Sequence, residues 1–90
     1  MSNVEVSDTE LSSIFTAPPG GVMTDEVGVI TGQLELRTRC APSGQVGVEV
    51  RYAGAAEWYR VSAADVVLCD LADHRPLHAA LLGVLHRPEG

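Results

Sequence analysis

A chain of 90 residues is the size of one domain, long enough for a single modest core and short enough that a partner or a second copy would add to its stability. With 46% hydrophobic residues and a mean hydropathy of +0.12 it is globular rather than disordered, and with only 4% aromatic residues its core must be built mainly from valine, leucine and alanine. A formal charge of −6 and a pI near 4.8 argue against general affinity for nucleic acid, because phosphate binders carry a basic excess.

The charge is unevenly spread. Before residue 27 the acids are Glu5, Asp8, Glu10, Asp25 and Glu26 with no base, giving −5; from Gln33 to Ser62 four arginines face Glu35, Glu49 and Glu57, giving +1. All six basic residues are arginine, a composition that suits a high-GC bacterial genome. Two cysteines do not make a disulfide framework, and the N-terminus lacks the basic and apolar regions of a signal peptide. No apolar run is long enough to span a bilayer, so the expected location is the cytoplasm, with reduced thiols and no membrane association.

In chain order, Ser7-Asp8-Thr9-Glu10 matches a capping box and predicts a short helix over Asp8 to Phe15, too short to persist unless it docks. The run Thr16-Ala17-Pro18-Pro19-Gly20-Gly21 breaks regular structure, so residues 1–21 are expected as an acidic arm, a short helix or flexible segment, joined to an α+β domain over 22–90. A further strand near Val27 to Ile30 is weakly patterned.

The organising stretch is Gln33 to Ser62. Leu34, Leu36, Thr38 and Cys40 alternate with Glu35, Arg37 and Arg39; Val46, Val48, Val50 and Tyr52 alternate with Gly47, Glu49 and Arg51. This is the period of half-buried strands, with the turn residues Ala41 to Gln45 between them. Opposing Cys40 with Val46 sets Arg37 against Glu49 and Glu35 against Arg51, both complementary, while a slip of one residue would turn the apolar set to solvent. A third strand should place Tyr59 and Val61 on the apolar face and Trp58 and Arg60 on the charged one.

Ser62 to Asp65 looks like a second helix start leading into Val66 to Leu71, although Val66 to Cys69 also suits a buried strand, and Arg75-Pro76 interrupts the helix because the residue before proline avoids helical geometry. Pro76 then opens the clearest helix, with Leu77, Leu81, Val84 and Leu85 at helical spacing and His86 and Arg87 near its negative end before Pro88 stops it. The predicted fold is α+β: an antiparallel three- to four-stranded meander with a C-terminal amphipathic helix packed on its apolar face.

Chemistry is sparse. Cys69, His74 and His78 with Cys40 are the residue types of a tetrahedral zinc site, but no Cys-x-x-Cys is present and Pro76 falls between the histidines, so they are expected as helix-end surface residues and the cysteines as buried hydrophobes. A nucleophilic enzyme would need an activated Cys69 or Cys40, and Cys69 sits in an apolar run that favours an inert thiol. No catalytic residue, metal ligand or cofactor is assigned. What remains is an arginine-and-aromatic face of Arg37, Arg39, Arg51, Trp58 and Arg60, the residue types of carboxylate recognition and interface centres.

The expected function is a non-catalytic interaction or accessory module that binds a partner protein, or a second copy as a homodimer, through this face or through an edge of the sheet. The acidic N-terminal arm would lie over the arginines until an acidic partner segment displaces it. A single-stranded nucleic-acid or anionic-ligand binder using the same face, with Tyr59 as a second stacking ring, is the competing class, and net charge weighs against it. A zinc-binding protein is the third.

Overall fold

The computed structural model describes residues 9–86. Thr9–Thr16 forms strand β1, Val22–Thr24 β2, Gly28–Ile30 β3, Gln33–Cys40 β4, Gln45–Tyr52 β5, Tyr59–Arg60 β6 and Val66–Val67 β7; a 3-10 turn over Leu71–Asp73 leads into helix α1, His74–Leu85. The main sheet runs β1-β4-β5-β6, antiparallel throughout, with β7 pairing farther along β5, while β2 and β3 form a separate hairpin. The fold is α+β, an antiparallel sheet with one C-terminal helix against its apolar face.

Strands β4 and β5 adopt the register their alternation demands, with Cys40 opposite Val46, Leu36 opposite Val50, Arg37 opposite Glu49 and Glu35 opposite Arg51. Their even positions from Leu34 to Val50 are buried and form most of the core, to which Phe15, Val22 and Ile30 add. Leu77, Leu81, Leu82 and Leu85 of α1 pack against that core, as do Tyr59 and Val61. Each side chain so buried contributes about 1.5–3 kcal/mol, which fixes the register far more firmly than the charge pairs do.

The N-terminal segment differs from expectation. Thr9–Thr16 is a strand and not a helix, paired with β4 over its full length from Thr9↔Cys40 to Thr16↔Gln33. Its Leu11, Ser13 and Phe15 turn inward while Glu10, Ser12, Ile14 and Thr16 are exposed, a period of two that the β-branched Thr9, Ile14 and Thr16 favour. An eight-residue ladder and the burial of Phe15 outweigh one capping interaction, which is worth about 1 kcal/mol. Ser7 and Asp8, the start of that predicted helix, lie outside the described residues, as do Arg87 and Pro88.

The proline-glycine run makes the turn into the hairpin: Ala17 donates to the Gly32 carbonyl and Gly21 to that of Pro18. The expected strand near Val27 is β3, displaced by one residue and paired with β2 outside the main sheet, with Val27 in the exposed turn. The hairpin inserts Val22 and Ile30 into the core and is tied to the chain after β6 by a Thr24–Val61 bridge.

Farther on, Ser62 to Asp65 does not start a helix. Asp65 bonds the Arg60 guanidinium, Ala63 takes a left-handed φ of 56°, and Val66–Val67 pairs with β5, where it is exposed rather than buried. Leu68 donates to the Gly44 carbonyl, and a Cβ at Gly44 would run into the Leu68 carbonyl oxygen, so this turn needs glycine both for contact and for its φ of +94°. The helical start lies later, where the Asp70 side chain accepts from the Ala72 amide. Pro76 does not open α1 or interrupt it. It is the third residue of a helix that begins at His74, in the first turn, where amides have no acceptor within the helix and proline loses nothing.

Candidate functional site

The two faces of the sheet carry different chemistry on the same strands. On the outer face, the Arg37 Nε and Nη2 groups lie 2.9 and 2.7 Å from Glu49 Oε1, and the Arg51 Nε and Nη2 groups both lie 2.8 Å from Glu35 Oε1. Trp58 lies against this pair of rungs, with the Arg37 and Arg51 guanidinium carbons 3.9 and 4.4 Å from its ring centre. The expected convergence of Arg37, Arg51 and Trp58 is therefore present, and its physical cause is local. Each guanidinium is neutralised by a cross-strand carboxylate and covered by the indole face, a cation–π contact of about 0.5–1 kcal/mol at a part-exposed site.

Arg60 leaves the ladder. Its Nη2 bonds Asp65 Oδ2 at 2.6 Å, which holds the guanidinium firmly charged, and its backbone amide donates to Glu26 Oε1. Glu49 is shared by Arg37 and Arg39. Arg39 is the loosest of the set. Its Nε is 3.8 Å from Glu10 Oε1 and its Nη2 3.7 Å from Glu49 Oε1, both beyond hydrogen-bonding range. Glu10 is thus the acid of the N-terminal segment that the described residues place beside an outer-face arginine. Tyr59 turns to the core, on the opposite side from Trp58, and its hydroxyl is 3.3 Å from Glu57 Oε1; burial first and then that carboxylate raise its pKa above the ordinary phenol value.

On the inner face sits a polar chain that the sequence reading missed. Thr38, fully buried between Leu36 and Cys40, has its Oγ1 2.8 Å from His74 Nε2 and 2.7 Å from His78 Nδ1, and His78 Nε2 is 2.9 Å from Ser13 Oγ. Both histidines are buried, contrary to their expected surface position, because α1 starts early enough to carry them four residues apart on the stripe that faces the sheet. The signal was Thr38 itself, a lone hydroxyl at an apolar position, which must find a partner.

The hydroxyl fixes the protons. Thr38 carries one hydrogen and meets two imidazole nitrogens, so it donates to one and accepts from the other. His74 Nδ1 is buried with no partner among the described residues. When each ring carries one proton, the arrangement that avoids a buried orphan N–H has His74 Nε2–H donating to Thr38, Thr38 donating to His78 Nδ1, and His78 Nε2–H donating to Ser13. In that state His78 offers Ser13 a proton rather than accepting one, and a hydroxyl, not a carboxylate, holds its second nitrogen. Burial, reinforced by the neighbouring His74, lowers the His78 pKa below the ordinary imidazole value.

Neither cysteine joins this chain. Cys40 is buried in the core, while Cys69 is exposed, contrary to the inert buried thiol expected from its apolar surroundings. Among the described residues no three His, Cys, Asp or Glu side chains come together as a metal site would require, and no helix is long and apolar enough to cross a membrane.

The outer edge of β1 is the third feature. Among the described residues β1 pairs only with β4, leaving its other side without a strand, and Ile14 on it is 53% exposed. No family model matches the chain, and neither does any curated protein or solved structure.

Proposed function

We propose that this protein is a small non-catalytic interaction module that binds an extended segment of a partner protein, or β1 of a second copy, along the outer edge of β1, with the charged face beside it. The observation that carries this reading is the edge itself. Natural edge strands are blunted by lysine, proline, bulges or short length. β1 has eight residues, pairs without a bulge, contains neither lysine nor proline, and presents Ile14 to solvent. Strand addition satisfies such an edge through main-chain hydrogen bonds, with alternate side chains supplying selectivity. A second copy pairing antiparallel about Ser12 would place Glu10 opposite Ile14 rather than opposite another acid, so self-association meets no like-charge clash at Glu10. Two free thiols, one exposed, suit a reducing compartment such as the cytoplasm.

The test is the solution mass of the wild type and of Ile14→Lys by light scattering over a range of concentrations, followed by capture from a bacterial lysate on both. Ile14 is exposed, so the substitution should leave the fold intact while charging the edge. A dimer that Ile14→Lys dissociates, or a captured partner that it releases, supports the edge as the working surface. Unchanged mass and unchanged capture in a folded Ile14→Lys protein would sink the reading.

A further inference from the structure

The outer-face ladder leaves one arginine without a hydrogen-bonded acid. Along β4 and β5 the rungs Glu35↔Arg51 and Arg37↔Glu49 are each a closed ion pair, and the next rung in the same direction is Arg39↔Gly47, where Arg39 has no side chain opposite it on β5 and Glu10 opposite it on β1 only at 3.8 Å. Arg39 is correspondingly unsatisfied. Its Nε is shielded from solvent yet has no hydrogen-bond partner among the described residues, although its side chain as a whole is 42% exposed. The space a side chain at Gly47 would occupy is open, since a Cβ there would meet nothing within 4 Å.

That space is a cavity of about 250 Å³ bounded by Arg39, Gly47, Glu49, Arg60 and Asp65. Backbone topology makes it. β6 pairs with β5 at Glu49 and Val50, Val61 still donates to the Val48 carbonyl, β7 pairs with β5 at Gln45 and Val46, and between them the chain from Ser62 to Asp65 swings out through the left-handed Ala63, leaving Gly47 uncovered. The volume is below the roughly 300–1,000 Å³ of drug-sized pockets and suits one small side chain or acid. Glu49 and Asp65 on its walls are already bonded to Arg37 and Arg60, and Glu10 and Glu49 approach Arg39 only to 3.8 and 3.7 Å, so the donors left without a hydrogen-bonded acceptor are those of Arg39.

We propose that this vacant third rung is a binding site for a single carboxylate, which enters beside Gly47 and accepts from Arg39 as Glu35 and Glu49 accept from Arg51 and Arg37. The carboxylate comes either from an acidic side chain of a bound peptide segment or from a small free acid. This deepens the interaction reading and rests on it only for the peptide source. The two fail separately, because the edge is tested through Ile14 and the rung through Arg39 and Gly47.

The experiment is a proton–nitrogen NMR titration of the full chain that follows the Arg39 Nε–H resonance, with acetate in one arm, a short blocked glutamate peptide in another, and chloride at matched ionic strength as the control. The expected result is a saturable shift of Arg39 Nε–H with carboxylate and not with chloride, while the Nε–H groups of Arg37 and Arg51 stay nearly still. Gly47→Glu should supply the missing acid from within, move the Arg39 resonance without ligand and weaken carboxylate binding by about tenfold or more, the effect of one charge-assisted hydrogen bond. Peptide affinity well above that of acetate assigns the site to an acidic partner segment; equal affinities assign it to free acids. No saturable shift in either carboxylate arm, the same shift with chloride, or undiminished binding to a folded Gly47→Glu protein would overturn the proposal. Should Gly47→Glu fail to fold, Arg39→Lys serves, read through the Gly47 amide: it keeps the charge but loses the guanidinium fork, and undiminished acetate binding to it would equally overturn the site.

Discussion

Strand β4 shows the inner and outer faces of the sheet solving the same problem with opposite stakes. Arg37 and Arg39 point outward, where a part-exposed ion pair adds little and its loss is made good by water. Thr38, between them, points inward, where no water replaces a missing partner. The outer face can therefore afford an open rung and an unpaired edge, the two places where we propose that binding occurs. The inner face cannot, and it uses one hydroxyl to hold two imidazoles and so to seat α1 on the sheet.

The comparison is broken most severely by removing that hydroxyl. Thr38→Val keeps the shape but leaves both rings short of a partner, and it should cost about 3 kcal/mol in urea unfolding. A triple variant that adds His74→Leu and His78→Leu should recover most of the loss, since it replaces the buried hydroxyl and both rings by apolar groups and leaves only the half-buried Ser13 without its partner. If the triple variant is no more stable than Thr38→Val, the hydroxyl is not the reason the single change is harmful.

Acid should open the same contact. Because the His78 pKa is lowered in the fold, the unfolded chain takes up that proton more readily. The contribution of His78 to stability is then whole above about pH 6.5 and is lost as the pH falls below that value. Urea midpoints measured from about pH 7 down to pH 5 should decline in the wild type and decline less in His78→Gln, in which this group no longer titrates.

On the outer face the expected effects are the smallest. Arg37→Gln removes one rung and one side of the Trp58 contact, and it should cost no more than about 1 kcal/mol. A loss comparable to that of Thr38→Val would mean that the ladder is structural and would remove the contrast between the faces.

How much of this was legible follows the same division. Period-two alternation places whole side chains on one face or the other, so the β4–β5 register, both charge rungs and the outward position of Trp58 could be read directly. The N-terminal strand could not. Its capping-box residues were local evidence for helix, whereas pairing with β4 is a contact between Thr9 and Cys40 that no local pattern records. Pro76 misled in the other direction, because its cost depends on its place within the helix, and a proline in the first turn breaks nothing. The histidines followed from that error: with α1 begun too late, His74 fell outside the stripe that buries it.

The vacant rung was visible in outline as Gly47 opposite Arg39. What the sequence lacked was the path of the chain after β6, which decides whether another side chain fills the gap.

The measurement that tests the inner-face account most directly is a long-range proton–nitrogen NMR spectrum of the imidazole rings near neutral pH, which reads the tautomer of each histidine. The account predicts that His74 and His78 each hold their proton on Nε2, in one fixed tautomer, and that Thr38→Val abolishes the fixed state. Rings that exchange freely between tautomers in the wild type, as exposed imidazoles do, would contradict it.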